Sequence, residues 1–180
     1  MEAIKYEEKY SFNDYLSWEG RWELIDGKAY NMAPAPYPKH QRVVFNIARE
    51  LDENLNCQSC EVYISPVDWK IDENNVVQPD VAIFCETPVF QFFTNTPLLI
   101  VEVLSKSTAK KDVTVKYELY QKNGVKYYIM VAPDSEVADI FVLEDGEYKF
   151  LKKAVDEVLT FEWESCSTKI DFGKLFGKKV

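Results

Sequence analysis

Two acidic residues lie in segments that otherwise have the composition of buried strands. Asp80 belongs to residues 76–84 (VVQPDVAIF) and Glu102 to residues 98–104 (LLIVEVL). Acidic residues are depleted in strands and seldom fully buried alone, because an isolated buried carboxylate binds a proton. Two such acids on consecutive strands therefore predict a divalent cation, Mg²⁺ or Mn²⁺, between them. Carboxylates that hold such a cation are typical of metal-dependent phosphodiesterases, in which a metal-bound water is the nucleophile.

A third residue, Lys116, could supply the positive group that such a reaction needs to orient water and stabilise the pentavalent phosphorus. It lies on a predicted helix after Glu102 and borders the apolar stripe of that helix. The alternative is a surface lysine whose aliphatic stem covers apolar side chains while its ammonium group pairs with Asp112. The spacing is compatible with both interpretations.

The charge distribution distinguishes the whole chain from one of its segments. The net charge of −9 argues against a general electrostatic attraction to nucleic acid. Residues 106–126 are locally basic, because only two acids, Asp112 and Glu118, accompany the lysines at positions 106, 110, 111, 116, 122 and 126. This segment is either a solvated helix face or a basic lip beside the acidic centre, which would suit a phosphate backbone.

The hydrophobic periodicity predicts a single mixed α/β domain that covers residues 1–180. One helix should begin at Pro38 or Lys39, and a second should run from Ala109 to Lys122. Pro66 interrupts the segment at 62–71, which predicts an edge or bulged strand there. Strands, hairpins or turns are predicted at residues 21–32, 62–71, 76–84, 98–104, 126–131, 137–151 and 168–176.

The predicted strand order also predicts the pairing. The strands at 76–84 and 98–104 should pair antiparallel, with Asp80 and Glu102 near their middles and roughly 5 Å apart. The strand at 126–131 follows a helical crossover and should therefore lie parallel to the strand at 98–104.

The four cysteines are too few for a disulfide framework, so we expect free thiols in a reducing cytoplasm. Cys57 and Cys60 form a lone C-x-x-C, but a structural zinc site needs four ligands and no second such pair exists. The sequence contains neither a long apolar stretch that could span a membrane nor an apolar leader, which again favours the cytoplasm.

Several motifs, taken together and in order, carry a family resemblance. They are WELIDG at 22–27, HQR at 40–42, NVVQPD at 75–80, VEVLSKST at 101–108, DVTVKYELY at 112–120, GVKYYIMV at 124–131 and the segment 171–176. This set resembles the Uma-type family of candidate bacterial restriction endonucleases, within the PD-(D/E)XK nuclease superfamily. The resemblance implies a restriction-endonuclease-like fold, with a mixed central sheet flanked by helices and added hairpins at both ends. It also implies Mg²⁺- or Mn²⁺-dependent cleavage of DNA.

The resemblance assigns roles to individual residues. Asp80, Glu102 and the carbonyl of Val103 would hold the metal. The superfamily expects a lysine two residues after the second acid, where this chain has Leu104. The Uma-type pattern moves that lysine to the following helix, where Lys116 matches its place and Lys106 and Lys110 are the alternatives.

Two further residues are candidates for the same site. Glu23 would support the metal cluster, or it is a strand acid that faces solvent. His40, the only histidine, would contact phosphate or act as a base, or it is a surface residue at a helix start.

The expected enzyme is a homodimer, because cutting two DNA strands with one type of site favours two-fold symmetry. Exposed aromatic residues such as Tyr37, Phe92 or Phe93 could form its interface. Two alternatives stay open. One is a nuclease fold that binds DNA or protein without cutting, and the other is a metal-dependent hydrolase of a small phosphate ester.

Overall fold

A computed structural model describes residues 9–32, 37–105 and 112–176. The helices, numbered in chain order, are α1 (Phe12–Tyr15), α2 (Pro38–Glu53) and α3 (Tyr117–Lys122), which directly follows a π-helical turn, Asp112–Lys116. The predicted start of the second helix at Ala109 lies outside the described residues, as do Lys106, Lys110 and Lys111. No helix in these three ranges is long and apolar enough to cross a membrane.

Thirteen strands complete the described chain. They are β1 (Trp22–Ile25), β2 (Lys28–Asn31), β3 (Glu61–Ile64), β4 (Asp68–Asp72), β5 (Asn75–Val77), β6 (Val81–Phe84), β7 (Phe92–Phe93), β8 (Leu99–Val103), β9 (Tyr127–Ala132), β10 (Val137–Glu144), β11 (Glu147–Ala154), β12 (Val158–Trp163) and β13 (Cys166–Asp171). They form a five-stranded sheet in the order β2-β1-β5-β4-β7, a six-stranded sheet in the order β11-β10-β9-β8-β6-β3, and the hairpin β12-β13.

The six-stranded sheet carries the pairings that the sequence predicted. β6 and β8 are antiparallel, and β8 and β9 are parallel, as expected across a helical connection. The hairpins β1–β2 and β10–β11 are confirmed, and β12 is a strand that the sequence pattern did not reveal. The chain therefore has the predicted mixed α/β fold, with mixed sheets and few helices.

The predicted strand at 76–84 is wrong as a single element. It divides into β5 and β6, which belong to different sheets, and the chain crosses between them at residues 78–80. The segment at 62–71 divides in the same way, into β3 and β4, and β3 is an edge strand as predicted. Pro79 and Pro66 lie in the two breaks, where a residue without an N–H cannot continue a ladder.

Helix α2 packs on the six-stranded sheet. Val44, Ile47 and Leu51 are buried along one face of the helix, as their helical spacing predicts, and they join the core that includes Val101 and Ile129. Burial of each such side chain stabilises the fold by about 1.5–3 kcal/mol. This packing fixes the first turn of α2 against the sheet.

The expected aromatic interface is wrong in part. Phe93 is buried and stacks on Phe84, with ring centroids 3.9 Å apart. Phe92 is half-buried and packs edge-on against Phe12, whereas Tyr37 is exposed. The aromatic pair at 92–93 forms a short strand inside the predicted loop, so packing within the chain uses the surface that we had expected for a partner.

The prediction of free thiols is also wrong for this structure. Cys57 is bonded to Cys166 and Cys60 to Cys85, which leaves no free cysteine. The sequence separations are 109 and 25 residues. Sequence spacing could not reveal these pairs, because they depend on how the sheet brings distant segments together.

Candidate active site

Asp80 lies where the chain enters the six-stranded sheet. The β6–β8 register pairs Val81 with Val101 and Ala82 with Ile100, so one further step places Asp80 opposite Glu102. Asp80 Oδ2 accepts a hydrogen bond of 2.8 Å from the backbone N–H of Val103. Asp80 therefore precedes β6 instead of occupying the middle of a strand, and its side chain retains 19% exposure.

Glu102 is buried on β8, and its carboxylate has two donors in contact with one oxygen. Lys116 Nζ donates to Oε1 at 2.9 Å, and the Tyr120 hydroxyl donates to the same atom at 2.7 Å. Both donors come from the helical segment that follows Glu102, and they lie four residues apart, on one face of that segment. The π-helical turn and α3 thus cover Glu102 with a cation and a hydroxyl group.

Lys116 connects the two sheets through a pair of buried ion pairs. Its Nζ lies 2.8 Å from Glu23 Oε1 and 2.9 Å from Glu102 Oε1. The Lys116 side chain is only 1% exposed, which contradicts the surface-lysine alternative. Because Glu23 belongs to β1 in the five-stranded sheet, Lys116 joins carboxylates from both sheets.

Glu23 faces the interior and not solvent. The pairing of Leu24 with Val76 places β1 beside β5, so that Glu23 lies next to the crossover that follows β5. The backbone N–H of Gln78 donates to Glu23 Oε1 at 2.9 Å. Glu23 is fully buried, so the solvent-facing alternative is wrong.

The buried carboxylates of this site have a counter-charge within the chain. Lys116 places a positive charge against Glu23 and Glu102, so burial of Glu102 does not by itself require a metal. A buried carboxylate can remain charged when a nearby cation and further hydrogen bonds offset the free energy lost on its removal from water. The case for a metal therefore depends on Asp80 and its surroundings, more than on the burial of two acids.

Tyr120 remains protonated well into the alkaline range. Burial raises its pKa well above the ordinary value of 10, and the negative charges of Glu102 and Glu23 raise it further. A protonated phenol is a hydrogen-bond donor, so Tyr120 keeps its contact with Glu102 at neutral pH.

His40 lies in the first turn of α2 and beside Asp80. Its Nε2 is 3.3 Å from Asp80 Oδ2, and the residue is buried, which contradicts the surface-histidine alternative. The start of a helix carries partial positive charge and favours anions. The same packing that buries the apolar face of α2 thus brings its positive end to the Asp80 carboxylate.

The sequence argument did not identify two residues of this site as functional. Tyr120 appeared only as a neighbour on the apolar stripe of the helix, although its position four residues after Lys116 is a detectable signal. Gln78 is a polar residue in an apolar run, two residues before Asp80, and its side chain donates to Asp68 at 2.8 Å. Arg21 reaches Gln78 Oε1 at 3.3 Å.

The family assignment agrees with this geometry. The sequence model of the Uma2 family, described as "Putative restriction endonuclease", matches residues 12–162. The chain therefore belongs to the Uma2 family, which confirms the resemblance drawn from its motifs. The matched region includes every residue of the site described above.

Two proteins of Synechocystis are among the relatives that are similar to this chain. The uncharacterized protein slr1290 of Synechocystis is 29% identical over 173 residues, which cover 91% of this chain and 90% of that protein. The uncharacterized Synechocystis protein sll1609 is 32% identical over 104 residues, or 55% of this chain and 58% of its own length.

A crystal structure of a protein from Anabaena variabilis, described as a putative nuclease belonging to DUF820, superposes with a TM-score of 0.72. It is 16% identical, and the match covers 92% of this chain and 97% of that one. This similarity establishes a shared fold.

Proposed function

We propose that this protein is a Mg²⁺- or Mn²⁺-dependent endonuclease that hydrolyses DNA phosphodiester bonds as a single nuclease-like domain of residues 1–180. One observation carries the proposal. The β6–β8 register sets a partly exposed carboxylate, Asp80, opposite a buried one, Glu102, where a covering helix supplies the ammonium group of Lys116. Membership of the Uma2 family supports the same chemistry.

The donor set fits a hard divalent cation. Among the described residues, the Asp80 side chain has two polar contacts, with the N–H of Val103 and with His40 Nε2, and both use Oδ2. The N–H of Val103 points at Asp80, and the N–H and C=O of one strand residue face the same side. The Val103 carbonyl therefore faces the edge at which Asp80 and Glu102 lie. Carboxylate and carbonyl oxygens are the ligands that Mg²⁺ prefers, and the bound ion would supply an activated water.

The remaining residues have supporting roles in this proposal. Lys116 and Tyr120 hold the Glu102 carboxylate in one orientation, and Glu23 fixes the Lys116 ammonium in turn. His40 and the start of α2 would face the phosphate that approaches Asp80, where positive charge stabilises the transition state. We propose a homodimer in the cytoplasm as the working form, to be checked by analytical ultracentrifugation.

Calorimetric titration with Mn²⁺ and a supercoiled-plasmid nicking assay, both performed on the same samples, test the proposal. Wild type should bind the ion and nick the plasmid, whereas Asp80→Asn and Glu102→Gln should lose both properties. Asp52→Asn and Glu118→Gln are matched controls, because they make the same chemical changes at exposed positions. The controls should behave as wild type.

The outcomes separate the proposal from its alternatives. If the protein binds the ion and hydrolyses a small phosphate ester but nicks no DNA, it is a metal-dependent hydrolase of small phosphate esters instead of a nuclease. A wild type that neither binds the ion nor nicks DNA would contradict the proposal.

A nuclease fold that binds DNA without cutting is the second candidate, and one observation favours it. Lys116 is engaged by two carboxylates and is almost fully buried, so its ammonium group serves charge compensation in this structure. Retention of duplex DNA in a filter-binding assay, with no nicking at any Mn²⁺ concentration, would establish this candidate.

A further inference from the structure

The four cysteines of this chain meet at one place, although they come from three separate segments. Asn56 bridges to Ser167, so the next step of that register pairs Cys57 with Cys166. The ladder between β3 and β6 pairs Glu61 with Phe84, so the next step pairs Cys60 with Cys85. Two cross-strand pairs are therefore joined by the C-x-x-C turn at 57–60, and we call these four residues the cysteine cluster.

The sulfur atoms of the cluster are close across the pairs as well as within them. Cys57 Sγ and Cys60 Sγ are 3.3 Å apart, and those two sulfurs lie with that of Cys166 within 4.8 Å of one another. Cys85 Sγ is bonded to Cys60 Sγ. The sequence expectation against a zinc site relied on the absence of a second C-x-x-C, but the fold supplies the two missing thiols from β13 and from the end of β6.

We propose that the cysteine cluster, when reduced, binds one Zn²⁺ through all four sulfurs as a structural site. Four thiolates in tetrahedral geometry are typical of zinc, and Zn–S bonds of about 2.3 Å place the sulfurs about 3.8 Å apart. The spacing of 3.3 Å between Cys57 Sγ and Cys60 Sγ is already near that value.

The turn between the first two cysteines also suits a metal. Gln58 and Ser59 form a tight turn, and Ser59 Oγ lies 3.6 Å from Cys57 Sγ and 3.9 Å from Cys60 Sγ. A hydroxyl group at this position can donate to a thiolate and stabilise its charge, as outer-shell donors commonly do around zinc.

Both disulfides must be reduced before the four sulfurs can bind zinc. Two disulfides, two molecules of a phosphine and two of water give four thiols and two molecules of phosphine oxide. In a cell, thiol reductants supply the same four electrons. One Zn²⁺ then binds as the four thiols release their four protons, because the thiolate is the ligand.

The cysteine cluster lies beyond the far ends of β6 and α2, the two elements that carry Asp80 and His40 at their beginnings. Cys85 directly follows β6, which begins next to Asp80, and Cys57 follows α2, which carries His40 at its other end. The zinc would therefore clamp the distal ends of the two elements that hold Asp80 and His40. It would also attach the β12–β13 hairpin to the six-stranded sheet.

Metal analysis of the protein purified under phosphine tests the proposal directly. We expect one zinc per chain, release of that zinc when four thiols per chain are titrated, and the intense visible bands of a tetrahedral thiolate site after replacement by Co²⁺. Untreated protein with both disulfides is the matched control and should bind none. Ser17→Cys adds an exposed thiol elsewhere and should not raise the stoichiometry.

Cysteine variants distinguish a four-sulfur zinc site from adventitious zinc binding. Loss of an outer-shell partner alone lowers metal affinity by about 10- to 100-fold, so Cys57→Ser and Cys85→Ser should each weaken zinc binding by at least about 100-fold. Circular dichroism of each variant checks that it folds. If a variant does not fold, the cobalt spectrum of the wild type still tests the proposal. Reduced wild type that takes up no zinc and exposes four reactive thiols would overturn the proposal. Unchanged affinity in either folded variant, or iron in place of zinc, would also overturn it.

Discussion

Replacing Lys116 with Met should destabilise the fold by about 3–5 kcal/mol, because it leaves two buried carboxylates without their shared cation. Lys116 is 1% exposed and lies within 2.9 Å of both Glu23 and Glu102, whose side chains are almost as deeply buried. Met has a similar length and apolar stem, so the change removes the charge with little change in packing.

The expected shift in melting temperature follows from the size of the chain. A domain of 150–250 residues loses about 2–4 °C per kcal/mol, so we expect Tm to fall by about 6–20 °C at pH 7. Thermal unfolding followed by circular dichroism measures this change. Lys122→Met is the matched control, because it makes the same substitution at an exposed position of α3 and should leave Tm nearly unchanged.

A triple variant identifies the cause of the loss. Combining Lys116→Met with Glu23→Gln and Glu102→Gln removes all three charges, while the amide oxygens can still accept from Gln78 N–H and the Tyr120 hydroxyl. Neutral replacements of buried ion pairs are often tolerated, so the triple variant should recover most of the lost stability. A triple variant as unstable as Lys116→Met would refute the electrostatic reasoning and assign the loss to packing.

The remaining predictions concern pH. Above pH 10 the unfolded chain releases the Tyr120 proton while the folded chain, whose Tyr120 pKa is raised, retains it, so wild-type stability should decrease there. Tyr120→Phe should be less stable than wild type at pH 7, and the difference should narrow as pH rises beyond 10. The free energy of unfolding is measured by urea titration at each pH, and a difference that stays constant above pH 10 would contradict this prediction. If Asp80 and Glu102 hold the metal, plasmid nicking should slow as pH falls toward about 4, where carboxylates ordinarily bind protons. A rate that stays constant to that pH would argue against carboxylate ligands.

Local sequence patterns predicted the strands whose pairing places Asp80 opposite Glu102. The run around Glu102 is apolar on both faces and forms a central strand, β8, which pairs antiparallel with β6 as the sequence predicts. The hairpins β1–β2 and β10–β11 follow from their Asp-Gly turns, at Asp26-Gly27 and Asp145-Gly146. These features depend on residues close in sequence, so the sequence carries the information directly.

Local sequence patterns could not predict the crossover at residues 78–80. The run at 76–84 has the composition of one strand, and only the arrangement of two sheets shows that it serves both. This division places Asp80 at a partly exposed edge and brings Glu23, from a distant strand, next to Gln78. A residue's neighbours across two sheets depend on tertiary packing, which no local pattern encodes.

By itself, the sequence determined the fold class, the Uma2 family and the acids on which a metal site would depend, because motifs and periodicity are local properties. Tertiary structure alone decided that Lys116 is an interior cation between Glu23 and Glu102, and that four scattered cysteines form one cluster. Both arrangements join segments that are far apart in sequence. The physical cause of the first arrangement is burial, since the helix and the sheets that enclose Lys116, Glu23 and Glu102 exclude the water that would otherwise solvate them. The second arrangement follows from the pairing of distant strands, which brings the cysteines together.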